Sequence, residues 1–317
     1  MQKERNIAFD ILKGIGILLM IIGHSIDRRS IWFHLIYTFH MPLFFIVAGF
    51  FFKVKPTKEI IVNSYKRLII PYLFICFNVI LLRAIKEFYS SGHLFVDYKY
   101  ALYVMGPGWF LVSLFEGRIL FNYLIMKVHK YHLPVSILLS SFPLLLNLFI
   151  DIDEIPFFIM PTLCCLPFIS VGYIIKKHHL ITMIHKRKIL FSLVFIFFWI
   201  LTILFGEINL ANCVIHLWLI DYVGATAATL FFYIFCIYIA NKPSIIRNLL
   251  SEISKFSIVI LCFHTIDYCV PMWFHLSPII PNGLGIPVVI IGRLILAYYS
   301  VLLSKRITIL KRTFSLS

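Results

Sequence analysis

A helix that crosses a bilayer needs about 20 predominantly apolar residues. The chain offers ten such stretches, at about 7–26, 32–52, 66–86, 109–126, 133–150, 157–175, 188–205, 220–240, 256–273 and 285–304. The longest segment between them, about 87–108, carries Ser-Ser-Gly and Gly-Pro-Gly punctuation and is too short for a soluble domain. The pattern predicts an all-α polytopic membrane protein of about ten transmembrane helices, with residues 1–317 as a single membrane-embedded domain. No internal repeat or low-complexity tract interrupts it. The first stretch holds Asp10 and Lys13 with no small-residue cleavage site behind it, so it reads as a retained helix rather than a signal peptide.

Composition supports this reading. Hydrophobic residues make up 61% of the chain and charged ones 14%, against about 25% charged in a soluble domain. A formal charge of +15 would raise nucleic acid as a partner of a soluble protein, but here the placement of the cations accounts for it. With the N-terminus in the cytoplasm, 21 of the 29 Lys and Arg fall on cytoplasmic segments, five fall outside (Arg28, Arg29, Arg83, Lys86, Lys99) and three lie within spans (Lys13, Arg118, Arg293). This asymmetry predicts cytoplasmic N- and C-termini, and no nucleic-acid partner is expected. Asp151, Asp153 and Glu154 fall on an outer loop. The seven cysteines are scattered through apolar segments without zinc spacing and read as small hydrophobes.

Ionisable side chains at membrane depth cost about 2.5–3.5 kcal/mol on insertion scales, so most face the bundle interior and mark sites. The first helix holds Asp10, Lys13 and His24. At 100° per residue, Lys13 lies about 60° and His24 about 40° from Asp10, with Lys13 and His24 roughly 16 Å apart along the axis. The three form one polar stripe, as a substrate channel requires. The plainer alternative is an interfacial Asp10–Lys13 ion pair with His24 turned to the surface. His40, just before Met41-Pro42, is placed by the connecting hairpin near the depth of His24, and two histidines at one depth suit proton transfer near neutral pH. His264 and Asp267, three apart on the ninth helix, share a face on which the carboxylate can orient the imidazole. Trp109 and Glu116 share a face of the fourth helix, while Arg118 points away from it. Phosphate loops, nucleophile elbows and metal-ligand spacings are missing from the sequence, and no metal site is expected.

The stretch Phe9-Asp10-Ile11-Leu12-Lys13-Gly14 running to Gly23-His24-Ser25 resembles the opening of the acyltransferase-3 family, in its fucose 4-O-acetylase-like branch. Phe39-His40-Met41-Pro42-Leu43-Phe44-Phe45 with Ala48-Gly49-Phe50 is similar to that branch's second helix. Lys66-Arg67-Leu68-Ile69-Ile70-Pro71-Tyr72, Gly108-Trp109-Phe110-Leu111 and Ser257 through His264 are similar to its later motifs. The resemblance implies an integral membrane O-acyltransferase, in a bacterial inner membrane, moving an acyl group, usually acetyl, from cytoplasmic acetyl-CoA to a hydroxyl of a cell-envelope glycan or lipid-linked sugar. It maps the essential basic residue and histidine onto Lys13 and His24. Three positions depart from the family pattern: many members carry Arg where Lys13 stands, an Arg-x-x-Arg pair is replaced by Ser64 and Arg67, and an acid five residues after the tryptophan is here Leu114, with Glu116 displaced by two.

On that basis His24 is expected to act as general base on the acceptor hydroxyl, or to take the acyl group first, with Asp10 grouped beside it as catalytic. Acetyl-CoA is expected as a co-substrate, not a permanently bound cofactor. Its anionic nucleotide belongs on the basic cytoplasmic surface of Lys53, Lys55, Lys58, Lys66 and Arg67, although the same charges follow from orientation alone. Lys13, Lys66 and Arg67 are the expected donor contacts. His40, Trp109, His264 and Asp267 are the expected acceptor side, Trp109 by stacking on a sugar face. A rival reading is an exporter of polysaccharide or small solutes, since intramembrane His, Asp and Lys also build proton relays. Inverted repeats and paired broken helices are not visible in the sequence.

Overall fold

A computed structural model of the chain describes residues 6–92, 108–149, 158–269 and 285–315. These residues form an all-α assembly of fifteen α-helices, with one short two-stranded ladder. Among the described residues, seven helical stretches are long and apolar enough to cross a membrane, or eight if a pair bent by 71° is one crossing. The chain is therefore a polytopic membrane protein.

Helix α1 (Ile7–Gly23) starts where the Asn6 side chain accepts from the Phe9 amide at 3.3 Å, satisfying one of the four orphan N–H groups of a helix start. It ends sooner than the sequence pattern suggests, with His24 as its cap. The second stretch is broken. α2 (Ile31–Tyr37) and α3 (His40–Phe50) meet at Thr38 and Phe39, where the Thr38 hydroxyl donates back to Leu35 O and accepts from the Trp199 indole N–H at 2.9 Å. The third runs as α4 (Thr57–Ser64), a π-helical turn (Tyr65–Ile69) and α5 (Ile70–Ser91), longer than the expected 66–86.

α6 (Trp109–Val128) and α7 (His132–Leu146) form one stretch interrupted by a 3₁₀ turn, with His129 in the left-handed region at φ 44°. α8 (Ile159–Lys177), the short α9 (Leu180–Lys186) and α10 (Lys188–Phe205) follow. Between α10 and the next helix, β1 (Ile208–Asn209) pairs antiparallel with β2 (Val214–Ile215), Ile208 facing Ile215. Then come α11 (Leu219–Ala240), α12 (Ile245–Lys255), α13 (Ser257–Cys269), α14 (Gly285–Arg306) and α15 (Thr308–Thr313). The expected ninth span, 256–273, is thus α13 preceded by a helix lying at 71° to it. Residues 270–273, the acidic cluster at 151–154, Lys99 and most of the 87–108 loop lie outside the described residues.

Packing follows membrane rules, with small residues where helices touch. A Cβ on Gly49 of α3 would overlap the Ile169 carbonyl of α8, and one on Gly172 of α8 would overlap the Ile46 carbonyl of α3. These reciprocal glycines bring two backbones into contact. Gly14 does the same for α1 and the Leu250 carbonyl of α12. α10, by contrast, exposes Ile189, Leu193, Phe197 and Leu204 along its length, as a lipid-facing helix does.

Candidate active site

The C-terminal end of α1 is where ionisable side chains converge. His24, half-buried, caps α1 and faces α13: its ring centroid is 5.3 Å from that of His264 and 5.0 Å from that of Tyr268, four residues on. After α1 the chain turns through 25–30 and re-enters as α2, capped by Ser30. This return places the Tyr37 hydroxyl 3.4 Å from His24 Nδ1. Phe33 stacks on Tyr37 at 3.7 Å and holds it there.

His40 comes close, as the hairpin argument expects, but Tyr37 stands beside it with ring centroids 4.7 Å apart. His40 Nδ1 lies 3.0 Å from Ile36 O. A carbonyl only accepts, so Nδ1 carries the hydrogen and Nε2 is the acceptor. His40 is fully buried and supports the Tyr37 side of the site.

His264 is 5% exposed, yet neither ring nitrogen has a hydrogen-bond partner among the described residues. Buried polar groups are satisfied in the great majority of cases, so the open imidazole nitrogens beside His24 are available to a water or a substrate group. The expected orienting contact from Asp267 is not made. Asp267 Oδ2 instead accepts from Arg293 Nε of α14 at 3.0 Å, both side chains 1% exposed. A guanidinium offers the carboxylate a charged donor that a neutral imidazole cannot match. The same Arg293 donates from Nη1 to His24 O and to Ser25 Oγ, both at 2.7 Å.

The remaining expected site residues lie elsewhere. Asp10 and Lys13 form an ion pair of 3.1 Å near the start of α1, with Lys13 29% exposed; Asp10 is about 21 Å from His24 along the helix axis. Lys66 and Arg67 occupy the exposed side of the π-helical turn. Lys55 is paired with Glu59, and Arg118 of α6 donates from Nε to Ser64 Oγ at 3.0 Å. Trp109 opens α6, half-buried against Phe45 and Phe110. Glu116 accepts from Thr162 of α8 at 2.7 Å. Among the described residues no group of three or more His, Cys, Asp or Glu side chains is arranged to hold a metal ion.

Sequence reasoning misses Tyr37, Tyr268 and Ser25. Ser25 has a signal, since it closes the Gly23-His24-Ser25 stretch, but nothing in the pattern separates the two tyrosines from others at span ends. Arg293 does have a signal, a lone cation inside an apolar span, but its partner cannot be read from spacing.

A family model described as "Acyltransferase domain", that of the acyltransferase-3 family, matches residues 6–302. The nodulation protein NolL of Sinorhizobium fredii (strain NBRC 101917 / NGR234) is 29% identical over 135 residues, which are 37% of this chain and 36% of that protein. NolL of Mesorhizobium japonicum (strain LMG 29417 / CECT 9101 / MAFF 303099) is 29% identical over 135 residues, 38% of this chain and 36% of its own. The aligned stretch thus spans about a third of each curated relative. No solved structure matches.

Proposed function

Since the chain belongs to the acyltransferase-3 family, we propose that it is a membrane O-acyltransferase whose reaction centre lies at His24. It moves an acetyl group from cytoplasmic acetyl-CoA to a hydroxyl of a cell-envelope glycan or lipid-linked sugar. The observation that carries this reading is the His24 imidazole set between the Tyr37 hydroxyl and the open ring nitrogens of His264.

The chemistry follows from those neighbours. If the Tyr37 oxygen accepts the Nδ1 hydrogen of His24, Nε2 is left unprotonated and able to act as base. The acceptor oxygen attacks the thioester carbon, its proton passes to His24, the C–S bond breaks, and the departing thiolate takes up a proton to leave as free CoA. His264, facing His24, can carry the proton onward. Lys13, held by Asp10, lies where a donor phosphate or the pantetheine arm enters α1's stripe. Asp10 is too far from His24 to touch the reacting atoms, so its part in this reading is to hold Lys13. Lys66 and Arg67 supply the basic surface for the nucleotide.

The proposed topology is ten crossings with both termini cytoplasmic. The 17-residue α1 counts as one, α6 and α7 as two joined at the His129 turn, and α13 as one, with the amphipathic α12 leading into it on the cytoplasmic side. The distribution of Lys and Arg in the sequence supports it. Exchange of label from the acetyl group of acetyl-CoA into an alkali-labile glycan fraction, present with the wild type and absent with His24→Ala, tests the reaction.

One observation favours export instead: the 71° break between α12 and α13 sits beside the polar helix α1, and broken helices line transporter sites. An exporter has no reason to bind CoA. Absence of CoA binding at about millimolar concentration, together with unmodified glycan that fails to reach the surface when the gene is deleted, decides for export; millimolar here is the weak end of useful affinity.

A further inference from the structure

We infer that Arg293 is a positioning residue for acyl transfer, which fixes the end of α1 so that the His24 imidazole faces His264. The inference rests on the reading of His24 as the reacting base. α1 ends inside the bundle, and the last carbonyls of a helix have no intrahelical partner. Here two of them are covered by one device. Ser25 Oγ donates to Ile21 O at 2.7 Å, and Arg293 Nη1 donates to His24 O and to Ser25 Oγ. Nε of the same guanidinium is held by Asp267, one turn beyond His264 on α13. A single planar group thus joins α1, α13 and α14, at Ser25 beside one of the facing imidazoles and at Asp267 one turn from the other.

The cation also suits the site electrostatically, since a helix C-terminus carries the negative end of the macrodipole. Lysine cannot replace it. An ammonium is a point donor on a flexible stem, whereas the guanidinium holds Nε and Nη1 at a fixed angle and reaches a carboxylate and a carbonyl at once. Arg293 donates to the backbone carbonyl of His24, and through that bond it sets the position of the ring. A misplacement of about 1 Å can cost on the order of 100-fold in rate.

The test uses the full-length protein in detergent or vesicles, with acetyl-labelled acetyl-CoA and native membranes as acceptor, and counts turnover per CoA-binding site so that unfolded protein does not enter. Arg293→Lys is expected to lower turnover about 100-fold while the Kd for CoA changes less than about twofold, and Ser25→Ala, which alters one hydroxyl, to lower it about tenfold. Turnover near the wild-type value in both, at full CoA occupancy, overturns the inference, and so does a weakened Kd in either. Should Arg293→Lys not accumulate, Ser25→Ala alone decides in the same way. Wild-type protein that binds no CoA, or His24→Ala that still transfers label, is a failure of the reaction reading and is recognised as such before the Arg293 variants are made.

Discussion

The hydroxyl of Tyr37 lies 3.4 Å from Nδ1 of His24, and the ring of Tyr37 packs on that of His40. One tyrosine therefore couples the end of α1 to the start of α3. Tyr37→Phe keeps the ring, its stack on Phe33 and the fold, and removes only the partner of Nδ1. A net hydrogen bond of about 0.5–1.5 kcal/mol corresponds to a fall in kcat of roughly 2- to 13-fold, with a loss of thermal stability no larger than that same energy. Initial rates and a melting curve on the same preparation check both halves.

His24→Ala is expected to remove acyl transfer while leaving an inserted, expressed protein. His264→Gln keeps the size and a hydrogen-bonding tip but no longer carries a proton at neutral pH. It should lose about 100-fold or more of the rate, the lower end of what a positioned acid or base contributes. A His264→Gln enzyme with wild-type kcat would remove that imidazole from proton transfer.

At the other end of α1, Lys13→Arg should retain most activity, because the charge and the pairing with Asp10 survive. Lys13→Ala should not. Asp10→Asn should fall between them, since it frees Lys13 without deleting it. The expected signature of all three is in the KM for acetyl-CoA, and it should shrink as salt rises, because water-exposed charges are screened over about 8–10 Å at physiological ionic strength. Equal KM values across the series would detach this ion pair from the donor.

Gly49 and Gly172 offer a stability test remote from the chemistry. Either one changed to Leu forces the α3 and α8 backbones apart, at an overpacking cost of about 1–3 kcal/mol. Thermal unfolding in detergent should shift down for each. The double variant should cost less than the sum, because the first change already opens the crossing.

Topology has its own check. Single cysteines at Lys177 and Arg312, in a background without the seven native ones, should react with impermeant reagent only from the cytoplasmic side. Position 153 should react only from outside, and the reverse result there would break the helix count.

How far the sequence reaches can be read from particular residues. The class of fold follows from apolar run length alone, because a bilayer demands it. His24 stands out because an imidazole at span depth needs a reason. The Asp10–Lys13 pair was the plainer of two readings of the stripe, and spacing of three residues is enough to see it. What spacing cannot give is partnership between distant helices. Asp267 is three residues from His264 yet serves Arg293, because a buried carboxylate is stabilised more by a guanidinium than by a neutral ring. Likewise Arg118 finds Ser64, and Tyr37 reaches His24 only because the chain turns back through 25–30 into α2. Breaks also escape hydropathy: α2–α3 has the composition of one continuous span.

The link between Arg293 and His24 joins residues 269 positions apart. Ribosomes deliver α1 first and α14 among the last elements, so a nascent chain holds His24 long before it holds the residue that fixes it against His264. On this geometry, catalytic competence arrives late in biosynthesis. Chains arrested or clipped before residue 293 would be inserted and yet idle.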